Sequence, residues 1–420
     1  MKTYTRYKKS GVSWIGDVPE QWNCRKFQYL FKERSEKNHP NEPILCATQS
    51  RGVIPQSMYE NRVVVVNTGF EGLKLVKKGD FVISLRSFQG GIEYAYYQGI
   101  ISAAYTILRI DTDSLLSDYV RILFKSAAFI GLLKTCVTGI REGQNINNEL
   151  LRKQLIPIPP LSEQKAIAEY LDKKTAQINE LVSAKQKQIE LLKEYKQSVI
   201  ANAVTGKLNK DCRMKDSGIS WIGKIPENWE VKRVASFFDE NKVLNKDFVF
   251  KKAYQFKFGS LVMKNEVGDE KEYEETYVKY TVLNKNDIVL NGLNLNYDFV
   301  SQRVAICPAP GIITSAYIAM TPRKTVEAMY YLWLFKTMDN KKMLHGMGSG
   351  IRLTLSFSDM KNQRIPVPPL SEQKEIVVYI EKKVSSIDSQ IASIENQIAN
   401  LNEYKQSLIS DVVTGKVKVC

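Results

Sequence analysis

Histidine is nearly missing from this chain: His39 and His345 are the only two among 420 residues. Imidazole is the usual proton-transfer group near neutral pH, so little material is present for acid–base catalysis. The six cysteines (Cys24, Cys46, Cys136, Cys212, Cys307 and Cys420) include no C-x-x-C pair. Such scatter supports neither a disulfide framework nor a zinc site. Phosphate-loop and G-x-S-x-G signatures are absent as well. The longest apolar stretches, such as residues 63–66 and 328–335, fall far short of the roughly 18 residues that span a bilayer. Behind the basic start MKTYTRYKKSG there is no apolar segment of a secretory signal. A cytoplasmic protein without a membrane span is expected, and one that is not an enzyme by itself.

Three short motifs hint at chemistry but lack its context. GMGSG at residues 346–350 has the glycines of an adenosylmethionine-binding turn, yet KKMLH precedes it where a hydrophobic strand is needed. It reads as a loop. IPIPP and IPVPP hold the prolines of a DNA-amino methyltransferase tetrapeptide without its Asn or Asp. Glu163-x-Lys165 and Glu372-x-Lys374 match the tail of a nuclease motif, but each falls in the first turn of a long helix, where the dipole favours a carboxylate.

What is abundant is positive charge. The net value is +15, with 44% hydrophobic and 25% charged residues, which fits a globular chain rather than a disordered one. Residues 1–160 carry +8 and residues 212–369 carry +6, whereas residues 161–211 and 370–420 carry +2 and −1. A polyanion touched at two places, namely nucleic acid, is the partner this distribution implies.

The two basic blocks belong to a tandem repeat. GVSWIGDVPEQW at residues 11–22 returns as GISWIGKIPENW at 218–229, and IPIPPLSEQKAI at 156–167 returns as IPVPPLSEQKEI at 365–376. EYKQS at 194–198 and VTGK at 204–207 recur 209 residues later. The organisation is variable block, helix, variable block, helix. Pro159–Pro160 and Pro368–Pro369 block helix upstream, Ser162 and Ser371 are the expected N-caps, and Gly206 and Gly415 suit left-handed C-caps. Each helix should run about 40 residues, or about 60 Å. In the second, Ile380, Val384, Ile387, Ile391, Ile394, Ile398, Leu401, Leu408 and Val412 form a heptad seam interrupted by Lys405. The first is looser, with Leu171, Thr175, Ile178, Val182, Ile189, Leu192 and Val199 interrupted by Lys185 and Lys196. Two such seams in one chain are expected to pack antiparallel as an intramolecular coiled coil, with one block at each end of the stalk.

Within the blocks, short apolar runs read as strands: residues 63–66, 79–85, 102–110, 286–290 and 314–320. Each block is therefore expected to be a mixed α/β domain in an α+β chain. SAAY at 102–105 and TSAY at 314–317 are counterparts, although the sequence between such anchors has diverged. A shared frame with different filling suggests two readers of different targets. Arg pairs with guanine, and Asn or Gln with adenine, through bidentate hydrogen bonds in the major groove. The loops RSFQGG, TGIREGQN, NGLNLN and GSGIR thus nominate Arg86, Ser87, Gln89, Arg141, Gln144, Asn145, Asn291, Asn294, Asn296 and Arg352 as DNA-binding candidates, and Arg303 is counted with them. Trp14, Trp22, Trp221 and Trp229 come as two equivalent pairs and are expected to pack a starting segment onto its domain rather than stack on bases.

The order SG-V/I-SWIG-x-V/I-PE-x-W, variable block, IP-I/V-PPLSEQK, long helix and TGK, duplicated across essentially the whole chain, resembles the DNA-specificity subunits of bacterial type I restriction–modification systems. The resemblance implies target-recognition domains at 1–160 and 209–369, each reading half of a bipartite double-stranded site. It further implies conserved helices at 161–208 and 370–420, the latter with a C-terminal tail, acting as a ruler. Two methylation subunits carrying adenosylmethionine, and restriction subunits using ATP and magnesium, are the implied partners. No cofactor is expected in this chain. A protein-binding scaffold with paired domains on a coiled coil is the alternative the residues leave open.

Overall fold

The computed structural model describes residues 2–60, 69–138, 145–208, 211–264, 271–348 and 353–419. Two compact units emerge: Met1–Gln186 with Glu395–Cys420, and Lys187–Ile394. Both cuts fall inside long helices, so each unit draws on both repeats. Among the described residues no helix is long and apolar enough to cross a membrane.

The long helices are Leu161–Val204 and Leu370–Val413, 44 residues each. They begin one residue before the expected caps, which is a correction for Ser162 and Ser371. The carbonyl of Pro160 accepts from the backbone N–H of Glu163 and Gln164 at 2.9 Å, and Pro369 accepts from Gln373 at 2.9 Å. Proline's fixed φ already suits a helix start, so no serine hydroxyl is required there. At the far ends Gly206 (φ 77°) and Gly415 (φ 78°) adopt the left-handed conformation anticipated for them.

Within the first unit the start of one helix runs antiparallel to the end of the other. Lys185 Nζ donates to Gln397 Oε1 (2.5 Å) and Lys405 Nζ to Asn179 Oδ1 (2.9 Å). In the second unit Lys196 Nζ bonds both carboxylate oxygens of Asp388, at 2.7 and 2.8 Å. The Lys196–Asp388 and Lys405–Asn179 pairs are counterparts, since both members shift by the same 209 residues. The lysines that interrupt the seams thus meet polar groups of the opposing helix, their stems covering the seam while the ammonium stays half in water. Ile178, Ile387, Ile394 and Leu408 are buried along it.

Each variable block builds the same antiparallel four-stranded sheet. In the first unit the order is Phe31–Arg34, Thr106–Ile110, Phe81–Ile83, Glu93–Tyr94. In the second it is Phe238–Glu240, Ile318–Pro322, Ile288–Leu290, Val304–Ile306. Four of the five expected strands are present in shortened form, and residues 63–66 lie outside the described residues. SAAY and TSAY are turns that precede the strands Thr106–Ile110 and Ile318–Pro322, not parts of them. Ser102 Oγ accepts from Ala104 N–H and Thr314 Oγ1 from Ala316 N–H, so a side-chain acceptor near the backbone overrides the apolar composition.

The repeated motifs meet one another in these units. Trp22 and Trp229 are fully buried. Their indole N–H groups donate to Glu163 Oε2 (3.0 Å) and Glu372 Oε1 (2.9 Å), so each glutamate of LSEQK grips the tryptophan of its own repeat. From the other side comes the glycine ending the other repeat's helix. A Cβ on Gly415 would lie 2.3 Å from Pro19 Cδ and 3.3 Å from the Trp22 ring; on Gly206 it would lie 2.2 Å from Pro226 Cδ and 3.3 Å from the Trp229 ring. Gln164 and Gln373 bond Leu116 N–H and Glu327 N–H (2.8 and 2.9 Å), tying each long helix to the head of a shorter one, Ser117–Leu123 or Ala328–Asn340. In the first unit Lys418 N–H donates to Lys2 O (2.9 Å), placing the two chain ends side by side. Trp14 and Trp221 also pack against these cores, half-buried, as the tryptophan pairs were expected to.

Candidate nucleic-acid interface

Beyond the frame, each block presents exposed polar or aromatic groups where the two copies differ in sequence. In each block a β-hairpin tip lies against the loop that leaves the third strand of the sheet. The first hairpin pairs Leu45–Thr48 with Gly52–Pro55. Thr48 Oγ1 accepts from Arg51 N–H (3.0 Å) and donates to Gly52 O (2.8 Å), closing the turn so that Gln49, Ser50 and Arg51 are exposed. Beside it, Ser84–Gly91 coils into the short helix Ser87–Gly90. A Cβ on Gly90 would meet the Gln49 side chain at 2.9 Å.

Lys125 staples these parts together. Its ammonium donates to Gln49 O (3.1 Å), Gly90 O (2.8 Å) and Glu93 Oε1 (2.6 Å). Burial pushes the Glu93 carboxyl up to about 7 against the opposing pull of Lys125. The adjoining cleft of about 800 Å³ is lined by Arg51, Tyr96, Arg121, Asp172 and Lys405 among others. Of the cations lining it, Arg121 pairs with Asp118 and Asp172, and Lys125 with Glu93. The exposed positive and amide groups of this head are Gln49 and Arg51 on the hairpin tip, Arg51 donating to Met58 O (3.1 Å), with Arg86 and Gln89 at the short helix.

The second hairpin pairs Tyr254–Lys257 with Ser260–Met263 around Phe258 (φ 50°) and Gly259 (φ 71°). Positive φ at both central residues is what a type I′ turn demands, and a phenylalanine there is strained. The partner loop spans residues 291–303 and is built around Arg303, which is 2% exposed. Its guanidinium donates to the carbonyls of Asn291, Leu293, Asn294 and Asp298 at 2.8–3.4 Å. Asp298 Oδ1 accepts from Val300 and Ser301 N–H (3.0 and 2.9 Å), and these bonds, chiefly that from Ser301, hold its carboxyl at about 2. His345 lies 3.1 Å from Asp298 O and stacks on Phe299 at 4.7 Å.

The sequence candidates separate by exposure. Arg86, Gln89, Asn145 and Asn294 are exposed, the last in a left-handed conformation (φ 52°). Asn291 and Asn296 are half-buried, and Asn291 Oδ1 accepts from Leu293 N–H at 3.2 Å. Ser87 is buried with its hydroxyl accepting from Ser84 N–H (2.8 Å), and Arg303 is buried as described. These two shape their loops and present no group outward. Arg141, Gln144 and Arg352 lie outside the described residues. Sequence reasoning missed Gln49 and Arg51, whose only signal is a polar T-Q-S-R-G turn between two apolar runs.

The family model described as Type I restriction modification DNA specificity domain matches residues 8–191 and again residues 226–403. The Type I restriction enzyme EcoBI specificity subunit of Escherichia coli is 26% identical over 292 residues, which are 65% of this chain and 60% of that protein. The chain therefore aligns with less than two thirds of that relative's length. The Putative type I restriction enzyme MjaX specificity subunit of Methanocaldococcus jannaschii is 22% identical over 430 residues, 96% of each chain. In fold, a chain from a solved type I R-M system is similar with a TM-score of 0.70 at 15% identity, covering 95% of this chain and 99% of that one. The HsdS subunit from Thermoanaerobacter tengcongensis gives 0.52 at 16% identity, covering 95% and 98%. Two matches of one family model, lying over two copies of one frame, make this chain a member of the type I restriction modification DNA specificity domain family.

Proposed function

We propose that this chain is the sequence-specific DNA-binding subunit of a type I restriction–modification complex, with each variable domain reading one half of a bipartite double-stranded site. The observation that carries the reading is the division of labour along the repeat. Residues common to both copies grip one another inside the frame, while exposed groups on the hairpin tips and adjoining loops differ between copies. Two domains of one architecture with different outward chemistry suit two different base sequences. Arg86, Gln89, Asn145 and Asn294 are the proposed contacts, joined by Arg141, Gln144 and Arg352 and by the tip residues Gln49 and Arg51. The domains are 1–160 and 209–369, and the helical segments 161–208 and 370–420 set the spacer between half-sites.

The chain recognises and does not catalyse. Adenine methylation and ATP-driven cleavage belong to methylation subunits (two per complex) and restriction subunits, which carry adenosylmethionine, ATP and magnesium, in the cytoplasm. The excess of +8 and +6 in the variable blocks supplies phosphate attraction, so affinity falls steeply between about 50 and 200 mM salt. The test is selection from a random duplex pool by the full chain, followed by sequencing of the bound fraction. Two short motifs at a fixed separation are expected; a bound fraction indistinguishable from the pool overturns the reading in favour of a protein-binding scaffold.

A further inference from the structure

The two heads differ in chemistry as well as in sequence. The first presents Gln49, Ser50, Arg51, Arg86 and Gln89, all donors or acceptors, with Leu85 (51%) the one large apolar side chain exposed on the loop 84–91. The second presents Phe258 (88% exposed), Tyr297 (75%), Phe299 (54%) and Val300 (90%). Single exposed apolar residues are ordinary on a protein surface, but these occupy one edge. A Cβ on Gly259 would lie 2.7 Å from Gln302 Cβ, which places the hairpin tip against the loop that bears the other three.

That edge is held firmly. Arg303 engages four loop carbonyls, His345 backs Phe299, Asp298 turns its carboxylate onto the backbone, and Gln302 bonds Asn340. The strained Phe258 sustains a tight two-residue turn. Rigid display of apolar side chains costs solvation and is offset where a ligand covers them without further ordering. Lys257 precedes the tip, and Lys341 and Lys342 follow Asn340, so the edge is flanked by cations. Cations around a narrow apolar ridge fit nucleic acid, with phosphates outside and base edges within.

We propose that Phe258, Tyr297 and Val300 enter the major groove of the half-site read by the second domain and select thymine through its C5-methyl group. Thymine's methyl is the one apolar group that base edges display in that groove, and the groove is wide enough for a two-stranded ribbon. Asn294, exposed on the same loop, supplies the complementary amide for an adjoining adenine. The first head, whose tip and short helix present chiefly polar side chains, reads donor and acceptor patterns instead. This inference rests on the DNA-specificity reading above.

The test uses the full chain and the duplex it selects from a random pool. An Arg86→Ala/Gln89→Ala variant first identifies the half-site read by the first domain. Thymines in the other half-site are then replaced by deoxyuridine, which removes only the methyl. The unaltered protein is expected to bind about fourfold more weakly for each contacted methyl lost, and to be indifferent to the same exchange in the first half-site. A Phe258→Ser/Tyr297→Ser/Val300→Ser variant is expected to ignore the exchange and to lose thymine preference there while keeping the first half-site. Selection of two half-sites with equal affinity for thymine and deoxyuridine duplexes overturns this inference alone, as does a variant that keeps its thymine preference. Failure of the unaltered protein to select any sequence overturns the DNA-specificity reading, and this inference with it.

Discussion

Glu163 and Glu372 show how one side chain serves the frame. Each accepts the indole N–H of a tryptophan more than 140 positions earlier, with Tyr4 adding its hydroxyl to Glu163 and Asn228 its amide to Glu372 at 3.3 Å. Replacing Trp229 by Phe keeps most of the ring's burial but removes the donor to a carboxylate. A loss of about 1–3 kcal/mol is expected in denaturant unfolding, and a similar loss for Trp22→Phe. Glu93 carries a different signature. Its folded carboxyl titrates at about 7, above the ordinary glutamate value, so the native state holds its proton more tightly than the unfolded chain does. Its contribution to stability is fully present below about pH 4.5 and is lost as pH rises through 7. Unfolding free energy measured from pH 5 to 8 should therefore fall less steeply in Glu93→Gln than in the unaltered protein. An equal slope in both would refute the assignment.

At the level of elements, each helix-ending glycine does two things. Its left-handed φ turns the chain, and its missing Cβ leaves room for a proline of the SWIG-x-V/I-PE-x-W motif. Gly206→Ala combines backbone strain with a 2.2 Å clash against Pro226, so the expected loss exceeds the roughly 1 kcal/mol of a left-handed alanine alone. Calorimetry of Gly206→Ala beside Gly223→Ala, which is also left-handed (φ 74°) but has nothing within 4 Å, separates the clash from the cost of the left-handed backbone. The helices were legible because their stop signals are local: prolines before, glycine after, and a seven-residue rhythm between. SAAY and TSAY misled because three of four residues look strand-like, while the acceptor that bends them is a single hydroxyl. Arg303 looked like a reader because nothing beside it announces that the carbonyls of its own loop will enclose it. The hairpin tips escaped notice for the opposite reason, since a turn between short strands carries little pattern beyond a glycine.

At the largest scale, the two long helices are the only elements among the described residues that contribute to both compact units. Adding one heptad to both at matching positions should preserve the seam and the apolar pattern on it. The expected outcome is a changed preferred spacer with both half-site sequences retained, read by sequencing selected duplexes. Altered half-site motifs at an unchanged spacer would contradict the helices' assigned role. The same repeat that builds the frame also has a hereditary consequence. Because the gripping residues are encoded twice in nearly the same words, a crossover between the two coding stretches would carry one head onto a chassis already fitted to receive it. A block would then be exchanged together with its own core, while the repeated tryptophan, glutamate and glycine that join it to the helices stay the same.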